Sequence, residues 1–331
     1  MKKTLLINFF GVIFIIFFLE IIIRVFNFAG LQGYDKNFFY SENGFALNKP
    51  NNQLKVFGKY ARIDSNGFRV PLDDSVYDKN KTSILFLGDS VSFGVGVKEK
   101  ETFIGLLRGK SNKNILNASV SGHNLESYLY FIEKYNNKLD SKFNEAIIFL
   151  CLNDIISYQG VLPKKTLTEN NDNNKFIENN VKNNISLKIN IFLREKSTLF
   201  VFLKGLLTNP AKRHYNYISW MYKNEESLKQ YKKSISKIAI FSKSKNIKTT
   251  FVLLPYAYQI NNKCELQFMV PQSKIKKIFE ELNLVIYDYS YKFCNNPMNK
   301  FFFLPFDPVH LSTDGHKYVN SLLIKDNLIK Q

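Results

Sequence analysis

The chain has 331 residues, of which 45% are hydrophobic and 15% aromatic, so it can bury a sizeable core and is not a disordered protein. Its 46 basic and 28 acidic residues give a formal net charge of +18 at pH 7. The sequence holds no repeat, basic helix or interleaved aromatic-basic motif, so a nucleic-acid partner is not expected. The excess positive charge favours an anionic membrane surface or anionic glycans instead.

The amino-terminal segment, residues 1–30, predicts a membrane anchor. An apolar run from Leu5 to Ile23 is interrupted only by Asn8, Gly11 and Glu20. About 20 such residues span the core of a bilayer. No A-x-A cleavage site follows, so we expect an uncleaved transmembrane helix, with a cleaved signal peptide as the alternative.

Lys2 and Lys3 precede this run and favour a cytoplasmic amino terminus by the positive-inside rule. The rest of the chain is then predicted to be extracytoplasmic, in the periplasm or on the cell surface. Residues 31–80 read as an extracytoplasmic lead-in, rich in Asn, Gly and aromatic residues, with a tight turn at Asn66-Gly67.

A second domain is predicted over residues 81–331, and it starts with a buried strand. The apolar residues from Ile84 to Leu87 run without alternation, which is typical of a strand covered on both faces. We expect the strand to stop at Gly88, which adopts backbone angles closed to other residues. Ser90 then lies at the carboxyl end of a parallel strand, where open α/β sheets bind ligands. A helix cap or turn is the simpler role for a Ser after Gly-Asp.

The next elements repeat the alternation of strand and helix. A helix is predicted from Glu99 to Arg108, a strand from Ile115 that runs into the loop around Gly122, and a helix from Leu125 to Asn136. A third buried strand covers 146–152 and delivers Asn153 and Asp154 at its carboxyl end. This order argues for a parallel sheet with helices on both faces.

An insertion at about 155–215 breaks the alternation. It contains an Asn-rich stretch over 170–190 and an apolar helix over 191–207. Two interpretations are open: a segment packed against the core, or a lid or membrane-touching flap. The alternation then resumes with helices at 225–244, 274–282 and 314–328 and strands at 249–254 and 284–287.

The three cysteines lack the C-x-x-C spacing of a metal site. In an exported domain Cys264 and Cys294 are candidates for a disulfide, whereas Cys151 falls in a buried-strand pattern. Three unpaired thiols are the alternative, because sequence does not fix connectivity.

Chemistry-bearing residues fall at the predicted strand ends. Ester cleavage by a serine needs a base, an acid that orients the base, and donors to the oxyanion. Ser90 is the candidate nucleophile, His310 the base, and Asp307 the orienting acid from the same loop. The candidate oxyanion donors are the side-chain amide of Asn153 and the backbone N–H groups of Ser90 and Gly122. The remaining histidines, His123, His214 and His316, are expected to have ordinary surface roles.

Four blocks in order carry a family resemblance. They are Gly88-Asp89-Ser90, Asn117 through Gly122, Asn153-Asp154, and Asp307-x-x-His310. The chain resembles the SGNH, or GDSL-type, hydrolases over roughly 81–331 without the insertion. The segments flanking the first block are similar to membrane-anchored bacterial members. The third block usually begins with Gly, where this chain has Cys151. Two outcomes are open: the small thiol fits there, or the bulkier strand end shifts Asn153.

The resemblance implies a flavodoxin-like three-layer α/β/α fold with a parallel central sheet. It also implies Ser90, His310 and Asp307 as the catalytic triad, with Ser90, Gly122 and Asn153 forming the oxyanion hole. No cofactor or metal is expected. The predicted function is a membrane-anchored serine esterase acting on O-acyl groups, with acetyl as the expected acyl group and a cell-envelope glycan or a small molecule as the expected substrate. An O-acyltransferase using the same triad and a non-catalytic glycan-binding protein are the alternatives, and the sequence leaves the oligomeric state open.

Overall fold

The computed structural model describes residues 2–26, 33–35, 37–72, 77–78, 80–138, 143–156, 189–190, 192–193 and 196–329. The Asn-rich stretch predicted over 170–190 falls almost entirely outside these residues. The same is true of most of the insertion that precedes residue 189.

One large sheet organises the described residues. Its eight strands there are β3 (Asn52–Val56), β4 (Lys59–Ile63), β5 (Arg69–Val70), β6 (Ser83–Leu87), β7 (Asn114–Asn117), β8 (Phe143–Leu150), β9 (Lys248–Leu253) and β10 (Ile286–Asp288). A separate hairpin precedes them, formed by β1 (Phe39–Glu42) and β2 (Phe45–Asn48). Across the large sheet the order is β10-β9-β8-β6-β7-β5-β4-β3.

The parallel strands have the order of a doubly wound fold. The pairs from β10 to β7 are parallel. Taken in chain order from β6 onward, these strands lie in the order 2-1-3-4-5, which is the flavodoxin-like arrangement. Every residue of β6 is buried, as expected for a parallel strand covered by helices on both faces. The predicted fold class is therefore confirmed.

The helices of the described ranges connect these strands and pack on the sheet, except for the first, which precedes every strand and packs against the helix Thr198–Leu207. They are α1 (Lys2–Phe26), α2 (Ser90–Phe93), α3 (Gly105–Arg108), α4 (Leu125–Lys138), α5 (Thr198–Leu207), α6 (Pro210–Met221), α7 (Glu225–Ser244), α8 (Ala257–Asn261), α9 (Val270–Glu281), α10 (Ser290–Cys294) and α11 (Thr313–Lys325). Here α4 packs against α7, and α11 packs against α3. One core of aliphatic and aromatic side chains runs through the parallel strands and these helices.

The prediction of a single helix over Glu99–Arg108 is wrong. The segment forms a 3₁₀ turn at Glu99–Glu101 and then the one-turn helix α3. An ion pair joins the two pieces: Arg108 Nε lies 2.7 Å from Glu99 Oε1, and both side chains are nearly buried. A Cβ at Gly105 would lie 1.9 Å from the carbonyl oxygen of Glu99, so only glycine permits this close return of the chain.

The lead-in is integrated into the sheet. Strands β3, β4 and β5 come from it and pair antiparallel beyond β7. Gly67 has a φ of +91°, which fits the turn expected at Asn66-Gly67. Arg69 on β5 is buried and donates hydrogen bonds to the carbonyl oxygens of Gly94 (2.6 Å) and Val97 (2.7 Å). The lead-in thereby fixes the segment that follows Ser90.

The amino-terminal helix is long and apolar. Within the part of the chain that the structure describes, Leu6–Phe26 is the one helix of 21 residues that meets the length and hydropathy of a membrane span. Farther along the chain, Cys264 and Cys294 are joined by a disulfide, with Cα atoms 6.0 Å apart. Cys151 is a buried free thiol.

Candidate active site

Ser90 is delivered to the edge of the sheet by the end of β6. Asp89 is fully buried and caps α2, because its Oδ1 accepts a hydrogen bond from the Val91 N–H at 2.9 Å. Ser90 is the first residue of α2, so its own N–H has no acceptor within the helix. The hydroxyl is half-buried at the rim.

Gly88 is required for a different reason than the sequence suggested. Its φ is not in the left-handed region, so the expectation of special backbone angles is wrong. A Cβ at Gly88 would instead lie 2.2 Å from Ser92 Oγ and 3.1 Å from the carbonyl oxygen of Phe149. The turn into α2 therefore needs glycine because it has no room for a side chain.

The structure brings Ser90, His310 and Asp307 into one hydrogen-bonded chain. Ser90 Oγ lies 2.7 Å from His310 Nε2. His310 Nδ1 lies 2.6 Å from Asp307 Oδ2. The other carboxylate oxygen of Asp307 accepts from the backbone N–H groups of Val309 and His310, both at 2.8 Å. These bonds fix the carboxylate, which in turn fixes the plane of the imidazole.

The charges next to His310 change the pKa of its imidazole. Burial alone would lower the pKa of His310, but the charge of Asp307 and its hydrogen bond, with a smaller effect from Asp89, raise the pKa above its ordinary value. Burial opposes ionisation of Asp307, yet His310 and the two backbone donors hold the pKa of Asp307 below its ordinary value. The pair therefore favours a carboxylate beside an imidazole of increased basicity.

Asn153 lies at the neighbouring strand end and is held on both sides of its amide. Its Nδ2 donates to Asp89 Oδ2 at 3.0 Å. Its Oδ1 accepts from the Tyr256 hydroxyl at 2.6 Å, and its backbone N–H donates to the same hydroxyl oxygen at 3.0 Å. A side-chain amide carries two N–H bonds, so one remains for a ligand after the bond to Asp89.

The loop that contains Gly122 runs along the same edge. The N–H of Ala118 donates to the Phe86 carbonyl at 2.9 Å, and the N–H of Val120 donates to the Gly88 carbonyl at 3.1 Å. Gly122 follows with a φ of +78°. This left-handed conformation favours glycine and reverses the chain beside the end of β6.

Cys151 fits at the start of the third block. It is buried, and its Sγ lies 3.6 Å from Asp89 Oδ1. Burial, followed by the charges of Asp89 and Asp154, raises the pKa of its thiol. The carboxylate of Asp89 thus receives both the thiol and the amide of Asn153, and the thiol does not prevent that contact.

The expectation that the other histidines have ordinary surface roles is wrong for two of them. His123 and His316 are buried, and burial lowers their pKa values to about 4 and about 3. His316 Nδ1 accepts the Phe103 N–H at 3.2 Å. His214 is half-buried on α6, with its ring 5.3 Å from that of Tyr256, and burial lowers its pKa.

Two aromatic residues at the site were not predicted from the sequence. Tyr256 follows the end of β9, so the rule that placed Asn153 after β8 would also have identified it. Phe57 lies in the turn between β3 and β4, and its ring centre is 5.2 Å from that of His310. No local pattern indicates Phe57, because only sheet pairing brings the lead-in to this place.

A groove of about 900 Å³ lies beside the loop that carries Asp307. One wall is formed by residues 303–308, and neither Ser90 nor His310 lines it. Lysines and aromatic side chains face this space, among them Lys59, Lys98, Lys300, Phe301 and Phe306. The groove can hold a large polar molecule next to the reactive loop.

Metal chemistry finds no support in the donor geometry. Among the described residues, no group of three or more His, Cys, Asp or Glu side chains converges in a way that could hold a metal ion. The polar groups of the rim bond to one another instead.

No family model matches the sequence. No curated protein matches it either. Solved structures do show similarity, and each of the three that follow has almost its whole length aligned.

The esterase EstA from Pseudoalteromonas sp. is 15% identical, with a TM-score of 0.42 and coverage of 75% of this chain and 98% of that one. A member of the lipolytic protein G-D-S-L family from Veillonella parvula is 14% identical, with a TM-score of 0.41 and coverage of 75% and 98%. An acetylxylan esterase from Geobacillus stearothermophilus, Axe2, is 14% identical, with a TM-score of 0.40 and coverage of 78% and 100%.

The G-D-S-L family is also the one that the four sequence blocks resemble. At these identities and TM-scores the likeness does not decide the reaction. The reaction has to be inferred from the residues of the site.

Proposed function

We propose that this protein is a serine esterase of the SGNH type that hydrolyses O-acyl esters through a covalent acyl-enzyme. One observation carries the proposal: Ser90 Oγ, the His310 imidazole and the Asp307 carboxylate form a continuous hydrogen-bonded chain with distances of 2.7 and 2.6 Å. In this arrangement the hydroxyl is hydrogen-bonded to its base, and the carboxylate orients that base. Nucleophilic attack on an ester requires both features.

The proposed reaction runs in two halves. His310 Nε2 takes the proton of Ser90 as the hydroxyl oxygen attacks the ester carbonyl, and the imidazolium then gives that proton to the departing alcohol. Water then gives a proton to His310 as its oxygen attacks the acyl carbonyl. The bond from the acyl carbon to Ser90 Oγ breaks, His310 returns the proton to Ser90 Oγ, and the carboxylic acid leaves. Asp307 stabilises the imidazolium in both halves without taking the proton.

The tetrahedral intermediate carries a negative oxygen that needs donors. The N–H of Ser90, the N–H of Gly122 and the second Nδ2–H of Asn153 are the proposed donors. Asn153 suits this role because Asp89 and Tyr256 hold its amide in one orientation before substrate binds. A donor that is already oriented does not have to reorganise as charge develops.

The proposed substrate is an O-acetyl group on a cell-envelope glycan. The groove next to residues 303–308 is lined by aromatic rings together with lysines and the carboxylates of Glu101, Asp307 and Asp314, and this mixture of polar and aromatic groups suits a polyhydroxylated polymer. The proposed location is extracytoplasmic with α1 as a membrane anchor. The disulfide between Cys264 and Cys294 supports an oxidising compartment, and Leu6–Phe26 supports the anchor.

Labelling with a fluorophosphonate tests whether the protein is a catalyst or only binds glycans. The full-length wild type is expected to form an adduct, and Ser90→Ala is expected to form none, because the probe reacts with an activated serine. Ser92→Ala is the matched control in the same helix and should label like wild type. A wild type that does not label, or a Ser90→Ala variant that labels, would contradict the proposal.

The same protein can then be assayed with acetylated glycans while acetate release and acetyl transfer are both measured. Release that does not depend on an added sugar acceptor identifies a hydrolase. Acetyl groups that appear on the acceptor in place of free acetate would identify an O-acyltransferase.

A further inference from the structure

We propose that α5 lies in the outer interfacial layer of the same bilayer that α1 spans, so that the active-site loop is held at the membrane surface. The occupant of the exposed face of α5 is then lipid. This surface is independent of the reaction catalysed at Ser90, and its test does not use enzymatic activity.

The first observation is a polar joint between α1 and α5. The carboxylate of Glu20 on α1 accepts hydrogen bonds from the N–H groups of Thr198 and Leu199, both at 2.9 Å, and from Ser197 Oγ at 2.8 Å. Arg24 Nε donates to the same carboxylate at 2.7 Å. The carboxylate thus occupies the amino terminus of α5, where the free N–H groups and the helix dipole favour a negative charge.

The joint sets the depth of α5. Glu20 lies six residues before Phe26, the end of the apolar span, which is about 9 Å along the helix axis. Interfacial helices lie about 5–10 Å into the boundary between headgroups and acyl chains. A charged side chain at this depth is costly unless it is paired, and the contacts with α5 and Arg24 supply its partners. The amino terminus of α5 therefore belongs at the interface and not in bulk water.

The composition of α5 fits that position. The helix has ten residues, so it is about 15 Å long and too short to cross a core of about 30 Å. Leu203, Leu206 and Leu207 follow the i, i+3, i+4 spacing of one helix face, and they are 46%, 59% and 85% exposed. A contiguous leucine face next to a membrane span is suited to acyl chains.

An adjoining side of α5 reaches the active-site loop. The ring of Phe202 packs against that of Phe306 with centres 5.0 Å apart. A Cβ at Gly205 would lie 3.8 Å from the same ring. Phe306 immediately precedes Asp307, so α5 connects the membrane helix to the loop that holds the carboxylate and His310. Docking of α5 on lipid therefore places the site near ester groups carried at the membrane surface.

Tryptophan fluorescence tests the placement, because the chain has one natural tryptophan, Trp220. Full-length Trp220→Phe protein carrying Leu206→Trp is reconstituted in phosphatidylcholine nanodiscs with bromine near the headgroup end of the acyl chains. We expect quenching at least about twofold stronger than for Ile240→Trp in the same background. Ile240 is the matched control, an exposed apolar residue on α7 that is 66% exposed.

Equal quenching at both positions would overturn the proposal and would indicate that another protein surface or water covers α5. If Leu206→Trp does not fold, Leu207→Trp replaces it, because that position is the most exposed of the three. A second arm adds Glu20→Ala, which should reduce the quenching at position 206 to the level of the control position. Ile16→Ala on α1 should leave it unchanged. Quenching that survives Glu20→Ala would rule out Glu20 as the joint.

Discussion

Polar side chains are buried both at the rim of the sheet and in the core beneath it, but the pKa values of the buried histidines are shifted in opposite directions at the two places. At the rim, His310 contacts a carboxylate and a hydroxyl, and the pKa of its imidazole is raised. In the core, burial and then the charge of Arg69 lower the pKa of His316 to about 3. In the described part of the chain, His316 Nε2 and Ser92 Oγ have no hydrogen-bond partner.

The difference shows that burial alone does not increase the basicity of a histidine. Removal from water disfavours the charged imidazole at both places, and only a neighbouring carboxylate reverses this effect. His316, with its pKa lowered to about 3, therefore stays neutral at ordinary pH values, whereas the raised pKa of His310 suits an imidazole that accepts and returns a proton. The same contrast separates Ser90 from Ser92, which are two residues apart on one short helix.

The largest expected effect separates these two serines. Ser90→Ala should lower kcat for hydrolysis of p-nitrophenyl acetate by about 10⁴ to 10⁶, because the nucleophile is lost. Ser92→Ala removes a buried hydroxyl that has no partner in the described residues and should leave kcat within about twofold of wild type. A comparable loss in both variants would mean that α2 matters only as a structural element.

Asp307→Asn should make the imidazole of His310 resemble that of His316, which has no carboxylate beside it to raise its pKa. We expect a fall in kcat of about 10⁴, because the imidazole loses its orientation and the charge that stabilises its protonated form. The base must be neutral, so the activity of the wild type should be lost as the pH falls through a pKa above 6.5.

In Asp307→Asn the carboxylate no longer opposes the effect of burial, so the pKa of His310 should fall. The acidic limb of the pH profile, where activity is lost, should therefore move to lower pH. The profile of kcat/KM against pH gives the measurement for both proteins. An unchanged acidic limb would show that Asp307 does not set the basicity of His310.

Asn153→Ala should have an intermediate effect. Loss of one oxyanion donor is expected to lower kcat by about 10² to 10³ with little change in KM, because the donor acts mainly in the transition state. Asn320→Ala is a core counterpart, since its Nδ2 donates to the Phe103 carbonyl at 3.1 Å, away from the residues of the site. A loss below about tenfold in Asn153→Ala would indicate that another donor faces the oxyanion.

The smallest expected effect concerns two buried tyrosines. Tyr256→Phe removes the hydroxyl that holds the amide of Asn153 and should lower kcat by about five- to tenfold, the value of about one hydrogen bond. Tyr222→Phe removes a hydroxyl that donates to the Leu152 carbonyl at 2.8 Å, close by but away from the amide. Thermal unfolding should show similar destabilisation of the two variants. An equal loss of kcat would assign Tyr256 a purely structural role.

Local patterns in the sequence predicted much of the core. Continuous apolar runs followed by Gly, Asp, Ser or Asn predicted β6 and β8 and the residues at their carboxyl ends, because the covered strands of a parallel sheet need no polar alternation. Helix α7 also follows its amphipathic pattern from Glu225 to Ser244. The loop spacing of Asp307 and His310 gave the rest of the proposed triad.

Contacts beyond the i, i+4 range of a helical pattern were not predicted. The pairing of β5 with β7 brings the lead-in to the site, and the ion pair of Arg108 with Glu99 joins the two pieces of a segment that looked like one helix. Neither event leaves a local pattern, since each partner is ordinary in its own neighbourhood.

The sequence by itself determined the alternation of strands and helices in the core, the residue types at the strand ends and the apolar character of α1 and α5. The tertiary structure alone decided which buried polar groups gain a charged partner. It also decided that Phe57 and Tyr256 border the site and that Glu20 meets the amino terminus of α5. The physical reason is that apolar patterning acts within a few residues along the chain, whereas hydrogen bonds and ion pairs depend on distances that only the folded arrangement sets.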